Sequence, residues 1–210
     1  MQRFDIAAAI ASSGIVAIVR SRSADDALER SRRLIEAGQH VLEVSLTTPG
    51  ALEVITTLRQ ESAADVIVGV GTVLDGTTAR LAALAGAQFT VAPTVDEEVL
   101  ATSHRYGLAT LPGAATPTEA IRAQSLGADF VKLFPASAYG PASVRDMLQA
   151  LPQVALVPTG GVTREDAAEY IRAGAVAVGM GGAITAGDPS TWTDGIAELR
   201  RSIAEAKAGR

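Results

Sequence analysis

The sequence predicts an α/β fold: a (β/α)8 TIM barrel with a short N-terminal helix, built by residues 1–210 as a single domain. Three observations predict it. Eight short runs rich in Val, Ile and Leu recur roughly every 20 to 25 residues. They are too short for helices and lack strict alternation, as strands buried on both faces of a parallel sheet do. Amphipathic stretches with helix start and stop signals separate them. The first run leads into "RSRSADD" and not into a G-x-G-x-x-G turn, which argues against a doubly wound open sheet.

In chain order, "MQRFDIAAAIASSG" places Arg3 before an Ala-rich run, with the outline of a secretory signal. Asp5 and the Ser12–Ser13–Gly14 break argue against that reading, and the residues that follow are needed as a strand. Arg3–Ser12 is therefore expected to be a short helix. Strands are expected at 15–20, 40–46, 65–71, 89–93, 108–113, 129–135, 154–160 and 175–181. After the first, "SADDALERSRRLIEAG" offers Ser23 as N-cap, brings Ala27, Leu28, Leu34 and Ile35 near one face, and stops at Gly38. "TPTEAIRAQSLGA" has Thr116 as cap, Pro117 in the first turn, Glu119 three residues after the cap and Gly127 at the end. "TREDAAEYIRAGA" repeats the scheme with Thr163, Asp166 and Gly174.

Composition limits the function classes. Hydrophobic residues make up 48% of the chain and aromatic residues only 4%, so aliphatic side chains must form the core. The net charge of −5, with both signs interspersed, argues against a nucleic-acid partner. The chain has no cysteine, which excludes disulfides, thiolate nucleophiles and Cys-ligated metals. No apolar run approaches the roughly 18 residues that span a bilayer, so no membrane partner and a cytoplasmic location are expected. Of 18 basic residues only two are lysines, Lys132 and Lys207, and Lys207 reads as part of a polar tail.

Lys132 is the anomaly. It sits inside "DFVKLFPAS", where burial lowers an amine's pKa and raises its neutral, nucleophilic fraction. Arginine cannot deprotonate and so cannot replace it. The structural alternative is a buried ion pair. Glu43 in "VLEVSL" is the one carboxylate inside an expected strand, and so the natural partner, as proton shuttle or as counter-ion. Arg20 ends the first strand and is placed to hold an anionic group, while Thr72 in "GVGTVL" offers a hydroxyl and loop amides to a carboxylate. The turns "PTGGV" and "GMGGA" follow the last two strands, where barrels bind phosphate through exposed amides and helix N-termini. His40 and His104 fall on the wrong side for chemistry and read as surface residues; with a single inward carboxylate, no metal site is expected. Together these residues suggest Schiff-base chemistry on a phosphorylated keto compound. A non-catalytic phosphosugar-binding barrel, with Lys132 and Glu43 as a structural pair, is the alternative from another class.

The segments "VAIVR", "VLEVSL", "VGVGTVL", "VAPTVDEE", "LPGAATPTEA", "FVKLFPAS", "VPTGGV" and "AVGMGG" carry a resemblance along essentially the whole chain. It is to the KDPG/KHG aldolases, the 2-dehydro-3-deoxy-6-phosphogluconate and 4-hydroxy-2-oxoglutarate aldolases, class I lyases that release pyruvate. The resemblance implies Lys132 as the Schiff-base lysine and Glu43 as the proton-transfer residue. It also implies Thr72 near the pyruvate carboxylate, Pro93 and Phe134 lining the site, and Gly160 and Gly161 on the phosphate, with Gly181 and Gly182 in the second phosphate turn. A homotrimer without metal or other cofactor is implied as well. Two positions depart from the family pattern. Thr47 stands where many members carry an arginine for the substrate carboxylate, and Gly182 stands where the phosphate loop often carries a serine. "PGAATPTEA" and "SAYGP" are similar to the galactonate-type relatives. Thr159, whose hydroxyl can meet the substrate's C4 oxygen, is similar to the gluconate type, which is the expected substrate class.

Overall fold

The structure, a computed structural model, describes residues 1–209. Helices and strands alternate except at 109–114, where two short strands follow one another, and every strand pairing is parallel. Helix α1 (Arg3–Ser13) leads into β1 (Ile15–Val19), α2 (Ala24–Glu36), β2 (Val41–Ser45), α3 (Ala51–Glu61), β3 (Ile67–Gly71), α4 (Gly76–Leu84), β4 (Phe89–Val91) and α5 (Glu97–Arg105). Then follow β5 (Ala109–Leu111), β6 (Gly113–Ala114), α6 (Pro117–Ser125), β7 (Val131–Leu133), α7 (Gly140–Ala150), β8 (Leu156–Pro158), α8 (Ala167–Arg172), β9 (Val178–Met180) and α9 (Trp192–Ala208).

The local signals act as their chemistry dictates. The Ser23 hydroxyl accepts from the Asp26 amide and starts α2. Thr116 and Glu119 form a reciprocal capping box, and Pro117 occupies the first turn of α6, where its missing N–H costs nothing. Thr163 and Asp166 exchange the same two bonds, but within a turn; α8 begins only at Ala167 and is six residues long. The first i→i−4 bond runs from the Ala167 amide to the Thr163 carbonyl at 3.1 Å, directly after the "PTGGV" turn.

The strand pattern also differs from one continuous ring of eight. The strands form a curled six-stranded sheet in the order β5-β4-β3-β2-β1-β9 and a three-stranded sheet in the order β6-β7-β8. The division falls at Pro112, which has no N–H to give to a ladder. The expected strand 108–113 is split there, pairing with β4 on one side and with β7 on the other. At the other seam, Thr159 bridges to Gly179 and the Val176 amide donates to the Leu156 carbonyl at 3.0 Å.

Two apolar clusters fill the two sides of the curled sheet. The larger lies between the sheet and the helices and includes Leu34, Ile55, Leu58, Leu156 and Ile196. The smaller lies inside the curve, where Ile6 and Ile10 of α1 pack against Val16, Val41, Ile67, Phe89 and Phe130. Helix α1 thus closes the N-terminal end of the strands and leaves their C-terminal end open for chemistry. Arg3 latches it there through Asp129, with Nε 3.0 and 2.9 Å from the two carboxylate oxygens.

Lys207 does not lie in a free polar tail. Its ammonium donates to the carbonyls of Ala11 and Ser12, capping the C-terminal end of α1. His104 is not a surface residue either. It is half-buried, with Nε2 3.3 Å from Thr110 Oγ1, and burial pushes its pKa down. His40 is partly exposed and pairs with Asp65 at 2.8 Å.

Candidate active site

Glu43 and Lys132 come from strands separated by about 90 residues of sequence, β2 and β7, and both point inside the curve. Each is almost fully buried, at 2% and 7% exposure. Both border one cavity of about 470 Å³ at the C-terminal end of the sheet. Space for the carboxylate exists because the neighbouring β3 ends in a glycine: a Cβ on Gly71 would lie 1.8 Å from Glu43 Oε1. Gly179 does the same for Thr159, whose Oγ1 would otherwise lie 2.3 Å from a Cβ.

Burial pushes the Glu43 carboxyl up from the ordinary carboxylate range, and the charges of Lys132 and Arg20 oppose this. Burial likewise pushes the Lys132 amine down; Glu43 opposes this, and Arg20 adds to it. Among the described residues no direct hydrogen bond or salt bridge joins the two groups. The Lys132 ammonium position lies 4.7 Å from the centroid of the Phe134 ring. Both groups are thus desolvated and electrostatically coupled without forming a direct ion pair. Burial favours the neutral form of each group, so that the carboxyl can exchange a proton and the amine can attack a carbonyl carbon.

The cavity brings together nine of the twelve residues singled out in the sequence: Arg20, Glu43, Lys132, Phe134, Thr159, Gly160, Gly161, Gly181 and Gly182. Gly160 and Gly161 both have left-handed backbones, with φ of 87° and 88°. A side chain at either would also collide, with the Phe134 ring or with Ser137. The Gly160 N–H is taken up in the Thr159–Gly179 bridge, whereas the Gly161 N–H meets no protein acceptor among the described residues and is available to an anion. Thr159 Oγ1 donates to the Val157 carbonyl at 3.1 Å, which leaves its lone pairs to accept.

Thr47, Thr72 and Pro93 lie outside this lining. Thr47 faces an adjoining open groove that shares Arg20 and Arg30 with the cavity. Thr72 is the one non-glycine residue with positive φ among the described residues, at 65°. Pro93 follows β4 by two residues, its carbonyl 2.3 Å from the place of a Cβ on Gly113.

Sequence reasoning missed two residues. Ser45, fully buried, bridges Thr47 and Thr72: its Oγ lies 2.9 Å from one hydroxyl and 3.0 Å from the other. The period of two along β2 carried the signal, because residues 43 and 45 share a face. Arg30, on α2, reaches the cavity lining from outside the sheet. No group of three or more His, Cys, Asp or Glu able to hold a metal occurs among the described residues.

A parallel α/β sheet that presents a desolvated amine, a carboxylate and glycine turns in one cavity defines an aldolase-type lyase. The chain belongs to the KDPG and KHG aldolase family, whose model it matches over residues 6–194. It is 39% identical over 159 residues to the 2-dehydro-3-deoxy-phosphogluconate aldolase of Treponema pallidum, a match covering 75% of each chain. It is 34% identical over 168 residues to the 2-dehydro-3-deoxy-6-phosphogalactonate aldolase of Escherichia coli, covering 80% of this chain and 82% of the relative. Among solved structures it resembles a KDPG aldolase from Legionella pneumophila holding pyruvate as a covalent carbinolamine intermediate. There the TM-score is 0.80 at 29% identity, covering 95% of this chain and 97% of the other. Family membership decides for an enzyme over a phosphosugar-binding barrel. No helix is long and apolar enough to cross a membrane among the described residues.

Proposed function

We propose that this chain cleaves 2-dehydro-3-deoxy-6-phosphogluconate to pyruvate and glyceraldehyde 3-phosphate through a Schiff base on Lys132, with Glu43 as the proton-transfer residue. The observation that carries the reading is the placement of a buried amine and a buried carboxylate in one cavity without a direct ion pair. The covalent pyruvate adduct of the Legionella pneumophila relative supports it.

Neutral Lys132 Nζ adds to the C2 ketone, and the carbinolamine loses water as Glu43 passes protons, giving an iminium ion. Glu43 then takes the C4 hydroxyl proton. The C3–C4 bonding pair moves toward the iminium nitrogen, and the aldehyde leaves. The resulting enamine takes a proton at C3, and water adds at C2 to release pyruvate and the free amine. The iminium is itself the electron sink, so the route uses no metal or other cofactor. Gly161, Gly181 and Gly182 hold the phosphate through their amides, with Gly160 shaping the turn; Thr159 accepts from the C4 hydroxyl, and Arg20 and Thr72 serve the carboxylate, with Pro93, Phe134 and Thr47 around the site.

The reading includes a closed (β/α)8 barrel formed by residues 1–210 as one domain. The two sheets would join at Pro112 and through the Thr159–Gly179 bridge. A cytoplasmic homotrimer accompanies it, as the family pattern implies.

Pyruvate release is to be measured with the gluconate-type acid, the galactonate-type acid and 4-hydroxy-2-oxoglutarate. The gluconate-type acid is expected to give the highest kcat/KM; preference for either of the others would reassign the substrate. Borohydride added with pyruvate should reduce an adduct onto the peptide carrying Lys132. An unmodified peptide from active enzyme would sink the mechanism.

A further inference from the structure

We propose that Arg30 is the cationic group of the substrate's phosphate end, and so the side chain that distinguishes phosphorylated from unphosphorylated acids. The proposal rests on the aldolase reading above and deepens it.

Within the cavity lining the glycine turns carry no cationic side chain of their own; Arg164, which donates to the Ile184 carbonyl at 2.7 Å, lies outside that lining. The other side chains of these turns in the lining are neutral: Thr159, Val162, Thr163, Ala183 and Thr185. A phosphate monoester carries roughly −1.5 to −2 charge near neutrality, which neutral amides alone would have to balance.

Three cationic side chains line the cavity: Lys132, Arg20 and Arg30. Lys132 is taken up by the ketone carbon. Arg20 directly follows β1, whose Ile18 is in register with Glu43, whereas Arg30 stands on α2, outside the sheet. In the sugar acid the carboxylate adjoins the ketone carbon and the phosphate sits at the opposite end of the chain. The cation near the reacting pair therefore suits the carboxylate, and the cation away from it suits the phosphate.

Arg30 is also held ready. Its Nε donates to both carboxylate oxygens of Asp26 at 3.0 Å, which fixes the plane of the guanidinium. Its two terminal amino groups meet no protein acceptor among the described residues. One edge is anchored and the other is open, the geometry that binds phosphate through paired N–H groups. A plain i,i+4 surface pair on α2 would account for the anchored edge but not for the position on the cavity wall.

The test compares Arg30→Gln with the unaltered enzyme on the phosphorylated acid and on its unphosphorylated counterpart. KM for the phosphorylated acid is expected to rise about 10- to 100-fold, as for loss of a charge-assisted hydrogen bond. The unphosphorylated acid should be little affected, and Arg30→Lys should recover part of the loss. An equal rise for both acids, or none, would overturn the proposal. A second arm follows thermal stabilisation by inorganic phosphate. It should weaken in Arg30→Gln, and an undiminished effect would also overturn the proposal. If the unaltered enzyme releases pyruvate from none of the acids, the aldolase reading fails by itself, and the phosphate arm still decides the role of Arg30.

Discussion

At the scale of single residues, the site keeps an amine where burial works against its charge, and this has a stability cost. Burial depresses the Lys132 pKa in the folded protein, while the unfolded chain has the ordinary lysine value of about 10.4. The unfolded state therefore binds more protons between the two values, and stability rises with pH across that window. Lys132→Met removes the cost along with the amine. It should abolish turnover yet stabilise the protein by about 1–2 kcal/mol near neutrality, with the advantage shrinking as pH approaches 10. Thermal melts of both proteins at several pH values check this; a variant less stable than its parent at pH 7 would contradict it. Ser45 makes a smaller prediction. Its hydroxyl is the shared partner of Thr47 and Thr72, so Ser45→Ala should cost about 1 kcal/mol in a denaturant titration and raise KM more than it lowers kcat. Lys132 was legible in the sequence because it broke an apolar run in a chain that otherwise uses arginine. Lys207 was misread, because a lysine that caps carbonyls about 195 residues away leaves no local pattern.

At the scale of elements, the inner apolar cluster depends on α1 as its floor. Asp129, at 9% side-chain exposure, accepts from Arg3 Nε and from both the amide and the hydroxyl of Thr110. Asp129→Ala leaves these donors without their acceptor and should destabilise the protein by about 2–4 kcal/mol. Because the latch lies at the end of the strands opposite the cavity, kcat per folded molecule should stay within about twofold. Equilibrium unfolding together with active-site titration by borohydride trapping separates the two effects. The caps of α2 and α6 were legible because their bonds are local, three residues apart. The split at Pro112 and the late start of α8 were not. Both follow from how strands and turns pack across the curve, which periodicity within one segment cannot express. In the same way, Gly71 and Gly179 read as ordinary strand residues until Glu43 and Thr159 are placed opposite them.

At the scale of the whole molecule, the charge distribution runs against the average. The chain carries −5 overall, which repels a polyanionic acid at long range. The open groove beside the cavity reverses that sign locally, with Arg20, Arg22 and Arg30 set against the single carboxylate of Asp26. This face was not legible in the sequence, where "RSRSADDALERSRR" reads as an ordinary solvated helix and its lead-in. Only the fold turns Arg30 toward the cavity. Exposed charges act over about 10 Å at 0.1 M salt and over about 3 Å at 1 M. Capture of a phosphorylated acid should therefore weaken as salt rises, while chemistry in the buried pair, shielded from ions, should not. KM for the phosphorylated acid is expected to rise several-fold between roughly 0.01 and 0.5 M salt, with kcat changing less than about twofold. Arg22 borders the groove but not the cavity, so Arg22→Gln should flatten this salt dependence without altering the limiting KM at high salt. A slope that stays the same in Arg22→Gln would show that the arginines in the cavity, and not the charge of the whole face, draw the substrate in.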